Sequence, residues 1–280
     1  MNPKYPVYIV SKGRWESRLT SKYLEWMNVP YHIVVEPQEY DNYAAVINPS
    51  KILAMPEGNL GFGSVPARNF AWEHSLSAGA TSHWCMDDNI RGFSRLNHNE
   101  RVLVATGTIF RAAEDFVDRY ENIALAGFTH RFSGGGSRRK KPPFKLNMAV
   151  YSCMLIKNNI PFRWRGKYNE DSDISIRVLN AGWCTLIFNA FIANKPTTMT
   201  MKGGNTDEIH AGDGMLKRAQ YLHEEFPNIA KVAWRFGRWQ HVVSYKSFKD
   251  NKLIKKEGLI TVKRINNYGM VLKTLGEVNG

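Results

Sequence analysis

An α/β fold built on a mostly parallel, twisted sheet flanked by helices is predicted by three features of this 280-residue sequence. Short apolar runs alternate with helix-period segments through the first ninety residues, as parallel strands joined by crossover helices require. Those runs tend to end in polar or acidic residues, at the edge of an open sheet where ligands bind. A hydrophobic content of 43% supplies one sizeable core. The expected organisation is one domain over residues 1–230, with residues 231–280 as a basic, aromatic-rich extension of it.

Val7-Tyr8-Ile9-Val10 is a first strand, and Ser11-Lys12-Gly13-Arg14 turns out of it into a helix with Leu19, Tyr23, Leu24 and Met27 on one face. Tyr31-His32-Ile33-Val34-Val35 forms the second strand, closed by Glu36-Pro37, and a short helix follows over about 38–45. Ile52-Leu53-Ala54-Met55 is the third. After the Gly-rich loop 56–63, Pro66 suits the first turn of a helix that Gly79 stops. Residues 90–96 suit a short antiparallel return, residues 106–120 a helix, and residues 123–127 and 147–156 further strands. A helix beginning near Ile174 ends at Gly182, and a strand over 183–188 and a helix over 215–226 complete the pattern, which includes a small antiparallel sheet.

The run Thr81-Ser82-His83-Trp84-Cys85-Met86-Asp87-Asp88-Asn89 is the most informative, because a buried strand ends there in two carboxylates and an amide. Adjacent acids repel unless positive charge lies between them, and a hard divalent cation such as Mn²⁺ or Mg²⁺ is the usual solution. A helix cap or a solvated turn is the plainer alternative. Glu170, Asp171 and Asp173 stand before another helix, where the dipole alone would favour acids, but where they would also be held rigidly near a cleft. In Lys202-Gly203-Gly204 the paired glycines let backbone N–H groups approach phosphate, and His210 could complete a metal shell.

Charge narrows the partners. The net charge is +13, and residues 231–280 hold eleven Lys or Arg against three acids. Such an excess attracts polyanions through counterion release. Arg131, Arg138, Arg139, Lys140 and Lys141 belong to a Gly- and Pro-rich stretch over 129–147 that contains no acid, as a polyanion-binding loop would. Arg235, Arg238 and Trp239 lie in a run where bases and aromatics are interleaved, as nucleic-acid stacking requires. Cys85, Cys153 and Cys184 sit in apolar runs and are expected to be reduced core residues. No run of about 18 apolar residues appears, so neither a membrane span nor a membrane partner is expected, and the N-terminus lacks signal-peptide character, so a cytoplasmic protein is expected.

These motifs together resemble a family. A first strand running into Ser11-Lys12-Gly13-Arg14, the strand end Val34-Val35-Glu36-Pro37, Ala67-Arg68-Asn69 before an acidic strand end, and Asn169-Glu170-Asp171 before a helix resemble nucleotide-sugar transferases of the GT-A type. Within that type, Lys202-Gly203-Gly204-Asn205-Thr206-Asp207 followed by Arg235-Phe236-Gly237-Arg238-Trp239 is similar to the phage-encoded TET-associated glycosyltransferases. The resemblance covers roughly residues 5 to 245. It implies a GT-A-like, Rossmann-related fold and transfer of a sugar from a nucleotide sugar, a UDP-sugar by preference, to a 5-hydroxymethylpyrimidine in double-stranded DNA, above all 5-hydroxymethylcytosine. It also implies functional coupling to a 5-methylpyrimidine oxygenase, in the cytoplasm of a phage-infected bacterial cell.

Under that reading Ser11, Lys12, Arg14 and Glu36 would hold the nucleoside. Arg68, Lys202, Gly203 and Gly204 would face the diphosphate. Asp87 and Asp88, with His210, would grip Mn²⁺ or Mg²⁺ on it. Asp171, with Glu170 as the alternative, would accept the acceptor's proton. Asn89 stands where many GT-A enzymes have a final Asp, which leaves open which oxygens reach the metal. The rivals are transfer to protein, glycan or lipid, a non-catalytic DNA-binding module, and a metal-dependent nuclease.

Overall fold

Parallel pairing of the early strands sets the frame on which everything else is placed. In the computed structural model, which describes residues 1–97, 100–130, 142–196, 203–204 and 214–258, β1 (Val7–Val10) lies between β2 (His32–Val35) and β4 (Ser82–Asp87), parallel to both. β3 (Ile52–Ala54) extends the parallel half beside β2. The crossovers carry α1 (Leu19–Trp26), α2 (Tyr40–Ala44) and α3 (Val65–Ser77).

Beyond β4 the sheet becomes mixed. The later elements are β5 (Gly92–Asn97), β6 (Glu100–Leu103), α4 (Thr108–Val117), β7 (Ile123–Thr129), β8 (Phe144–Leu146), β9 (Cys153–Lys157), α5 (Glu170–Asn180) and β10 (Cys184–Asn194). The sheet runs β3-β2-β1-β4-β9-β7-β10-β5-β6, with β8 also on β10. β9 is antiparallel to both β4 and β7, whereas β10 is parallel to β7. After α6 (Gly214–Glu225), β11 (Ala230–Arg235) and β12 (Arg238–Val243) form a separate antiparallel hairpin. The expected class, an α/β sheet flanked by helices with a small antiparallel sheet, is therefore present.

Period-2 alternation explains how the sheet buries both faces. Val7, Ile9, Trp84 and Met86 face a core shared with Leu24, Phe110 and Ala113, whereas Tyr8, Val10 and Cys85 face Trp72, Trp164, Ile174 and Val178. Each aliphatic or Phe side chain fully buried this way contributes about 1.5–3 kcal/mol. A smaller cluster, Ile176, Leu179, Leu222, Phe226, Ala230 and Phe248, joins α5 to α6 and to the start of the C-terminal region. The three cysteines are buried and free, as expected. Among the described residues no helix is long and apolar enough to cross a membrane.

Several boundaries differ from the pattern-based expectation, among them β10, which runs on to Asn194 where a strand over 183–188 is expected. Residues 147–156 read as one strand, yet β9 begins only at Cys153, because Asn147 and Ser152 take φ of +56° and +63°, which breaks strand geometry. Glu170 to Asp173 form the first turn of α5 rather than a loop before it.

Candidate active site

The ends of β1, β2 and β4 open onto one cleft. Its lining includes Ser11, Lys12, Arg14, Glu36, Arg68, Asp87, Asp88, Glu170, Asp171 and Gly204. All ten are sequence candidates for the donor and catalytic site, and six separate segments of the chain bring them together.

The Asp87-Asp88 turn is pinned from α1. Thr20 Oγ1 donates to the Asp87 carbonyl at 2.6 Å and accepts from the Ile90 N–H at 2.8 Å, while the Thr20 N–H donates to the Asp88 carbonyl. With its backbone fixed, each carboxylate meets a different set of partners. Asp87 Oδ1 accepts from Arg68 at 3.0 Å, and Oδ2 from Lys195 Nζ at 2.6 Å. Asp88 accepts from Ser11 Oγ at 2.8 Å and from the Arg14 guanidinium. Burial alone would push the Asp87 carboxyl up, but the charges of Lys195 and Arg68 override it and hold it down at about 2. At Asp88 burial wins over Arg14 and Ser11, and its carboxyl is raised.

The loop after β1 reaches across to the glycine pair. Arg14 donates to the Gly203 carbonyl at 2.9 Å, and the Gly204 N–H donates to the Lys12 carbonyl at 2.9 Å. A Cβ on Gly203 would stand 2.5 Å from the Gly13 carbonyl oxygen, and one on Gly204 would stand 2.7 Å from the Arg14 guanidinium. Their φ values are +75° and +70°. Gly203 is thus required for close backbone approach to the first loop, and the positive φ favours glycine at both positions. Lys12 pairs with Glu36 at 3.2 Å, and Gln38 also donates to Glu36.

Arg68 is almost fully buried on α3 and links three acids. Besides Asp87, it lies 3.5 Å from Asp171 and 3.8 Å from Glu170. Ser64 completes the bridge by accepting from Arg68 Nε at 3.0 Å and donating to Glu170 at 2.8 Å. The Arg68 guanidinium also stacks 4.7 Å from the Trp164 ring.

Acids two residues apart on α5 contrast sharply. Asp173 is fully buried and takes Arg165 at 3.0 Å and Arg177 at 2.7 Å, which makes it a structural ion pair. Asp171 Oδ1 is buried and, despite Arg68 at ion-pair distance, accepts no hydrogen bond among the described residues. Burial raises the Asp171 carboxyl to about 7, with Arg68 opposing and Glu170 and Asp87 adding to the rise. A carboxylate poised there, lining the cleft, is suited to take up a proton.

Lys195 was not identified from sequence. It follows β10, bonds Asp87 and Ser152 Oγ (2.8 Å), and lines the cleft. The only signal was a lysine directly before Pro196 at the end of an apolar strand. Arg235, Arg238 and Trp239 lie outside this cleft, on the β11–β12 hairpin. Lys202, His210, Arg131, Arg138, Arg139, Lys140 and Lys141 lie outside the described residues.

Two features of the lining bear on binding of a divalent cation, for which Asp87 and Asp88 would exchange partners they now hold. Four cationic side chains, Lys12, Arg14, Arg68 and Lys195, line the cleft against five carboxylates, Glu36, Asp87, Asp88, Glu170 and Asp171, before any diphosphate adds negative charge. Asn89 Oδ1, in the same lining, is buried and accepts no hydrogen bond among the described residues. Hard oxygen donors of this kind match Mn²⁺ or Mg²⁺. Among the described residues no group of three or more His, Cys, Asp or Glu forms a shell by itself. Substrate oxygens and water would therefore supply the remaining ligands, as is usual for Mg²⁺.

A sequence model of the TET-associated glycosyltransferase family matches residues 5–204. Among solved structures, the chain resembles a protein described provisionally as a nucleotide-diphospho-sugar transferase from Desulfovibrio desulfuricans G20. The two share 11% identity and a TM-score of 0.40, over 80% of this chain and 98% of that one. A likeness so slight carries no argument about function. None of the curated proteins matches.

Proposed function

The chain belongs to the TET-associated glycosyltransferase family, and from that premise we propose that it moves a sugar from a UDP-sugar to the hydroxyl of 5-hydroxymethylcytosine in DNA. Ser11, Lys12, Arg14 and Glu36 bind the nucleoside end of the donor, since they gather at the ends of β1 and β2. Lys195 and Arg68 set positive charge beside the diphosphate. Asp87 fixes both of them, so that charge is preorganised where negative charge develops as the nucleotide departs.

Asp87, Asp88 and Asn89 would hold Mn²⁺ or Mg²⁺, which neutralises part of the diphosphate's charge when bound. Asp171 receives the proton. As the hydroxymethyl oxygen forms its bond to the anomeric carbon, the bond from that carbon to the phosphate oxygen breaks. The hydroxyl proton passes to the Asp171 carboxylate, and the nucleoside diphosphate leaves with the bonding electrons. A single displacement of this kind inverts the anomeric centre. Glu170, held by Ser64, positions α5 against α3. A 5-methylpyrimidine oxygenase is the class of enzyme that would supply the acceptor.

The observation that carries this reading is Asp171: a carboxyl raised to about 7, with one oxygen unbonded, in the same cleft as the Asp87–Arg68–Lys195 charge cluster. To test it, hydroxymethylated DNA is incubated with a panel of sugar nucleotides and metal, and its nucleosides are analysed by mass spectrometry. A hexose or pentose mass added to 5-hydroxymethylcytosine is expected. Transfer only to protein, glycan or lipid acceptors would refute the DNA acceptor.

A further inference from the structure

The β11–β12 hairpin breaks two local rules at its tip. Phe236 and Gly237 form the two-residue turn, with φ of +54° and +71°, in positions that ordinarily take Asn or Gly. A Phe there is strained, and it is 92% exposed. Directly beneath the turn, Arg235 and Arg238 face each other as a cross-strand pair of like charge, an arrangement that destabilises a hairpin in isolation. Among the described residues neither arginine forms an ion pair.

One rung further down, Trp234 and Trp239 meet edge to face at 5.3 Å and remain 60% and 39% exposed. The tip thus presents a bare ring, with the Arg235–Arg238 pair on one face of the hairpin and the Trp234–Trp239 pair on the opposite face. Charge complementarity favours a polyanion, and a flat apolar ring between two phosphate-binding groups fits the interior of a base stack.

The hairpin is also tied to the cleft. Arg218 of α6 donates to Asn169 Oδ1 at 3.2 Å, and Asn169 Nδ2 donates to the Arg218 carbonyl at 2.6 Å. Asn169 immediately precedes Glu170 and Asp171. Burial lowers the Arg218 guanidinium's proton affinity, which Glu170 and Asp171 raise and Arg238 lowers further, so Arg218 stands within charge range of both regions. The helix that carries Arg218 therefore packs against the hairpin and is hydrogen-bonded to the residue that precedes Glu170 and Asp171.

We propose that Phe236 is a wedge that enters a DNA duplex at the modified base pair and fills the gap left when the hydroxymethylated base turns out towards Asp171, with Arg235 and Arg238 on the flanking phosphates. This rests on the DNA-acceptor reading above and adds how a duplex is opened. The target base leaves the stack at an energetic cost, which the inserted ring offsets.

Phe236→Gly is the test, because glycine is unstrained at this φ and the hairpin should fold at least as well without the ring. Turnover is measured on duplex and on single-stranded hydroxymethylated oligonucleotides, together with fluorescence of 2-aminopurine placed beside the modified pair. The wild type is expected to raise the fluorescence on binding. In Phe236→Gly that rise should vanish, and the duplex-to-single-strand turnover ratio should fall about tenfold, with Phe236→Trp restoring both. Wild-type fluorescence that stays flat, or an unaltered ratio in Phe236→Gly, would overturn the wedge. So would equal losses on both substrates, or a variant that keeps its duplex ratio but loses binding to anionic phosphatidylserine vesicles. No product from the wild type on either DNA would instead remove the acceptor reading on which the wedge depends.

Discussion

The donor cleft and the C-terminal hairpin solve opposite problems with the same residue types. In the cleft, arginine and lysine are set among acids: the buried Arg68 touches three carboxylates, and the partly buried Lys195 and Arg14 each hold one. At the hairpin, Arg235 opposes Arg238 and the neighbouring aromatics face water. Paired, desolvated charge is rigid and suits a small ligand that must be oriented to a fraction of an ångström. Unpaired charge beside exposed rings is costly in the free protein and regains that cost only against a polyanion. On the proposed reading, the contrast separates a region that performs chemistry from one that recognises a macromolecule.

The sharpest way to break this contrast lies within α5. Asp171→Asn should lower the single-turnover rate at least about a hundredfold while donor binding, read by calorimetry, persists. Normal turnover by that variant would remove Asp171 from the chemistry. Asp173→Asn should do the reverse, costing roughly 2–4 kcal/mol of stability in denaturant titrations by stranding Arg177 and the half-exposed Arg165. Loss of rate without loss of stability would reverse the two assignments.

Lys195→Met comes next. Removing one preorganised positive charge from the departing diphosphate should lower kcat about tenfold to a hundredfold, more than it weakens donor binding. A change confined to KM would make Lys195 only a binding group. Chelation by EDTA should abolish transfer, with Mn²⁺ or Mg²⁺ restoring it, because the cleft carries more carboxylates than cations. Full activity in chelator would mean that the protein cations suffice. The smallest effect belongs to the hairpin: Arg235→Gln with Arg238→Gln should reduce the salt dependence of DNA binding by roughly two phosphate contacts. The same change should stabilise the free protein by about 0.2–1 kcal/mol. An unaltered salt slope would take the hairpin off the DNA.

Much of the cleft was legible in sequence because its residues sit where patterns end. Ser11 and Arg14 follow the first strand, Glu36 follows the second and Asp87 closes the fourth, and a polar residue at the end of a buried run stands out from its neighbours. Lys195 was hidden by an irregular strand. The pairing of β10 with β7 shifts register between Phe188 and Ile192, where Asn189 interrupts the apolar run, although the strand continues to Asn194. The hairpin was visible as an aromatic-basic alternation but not as a turn, because Phe-Gly is not a dipeptide that two-residue turns favour. What joins Arg68 to Asp171, or Arg218 to Asn169, is tertiary and left no local pattern to read.

Asp171, its carboxyl raised by burial, is proposed to accept the acceptor's proton. A single-turnover rate measured against pH with saturating donor, metal and hydroxymethylated DNA addresses that role directly. The base must be ionised to act, so the rate should be flat at high pH and fall as pH drops through about 7. A profile without an inflection in that region, or the same inflection persisting in Asp171→Asn, would contradict it.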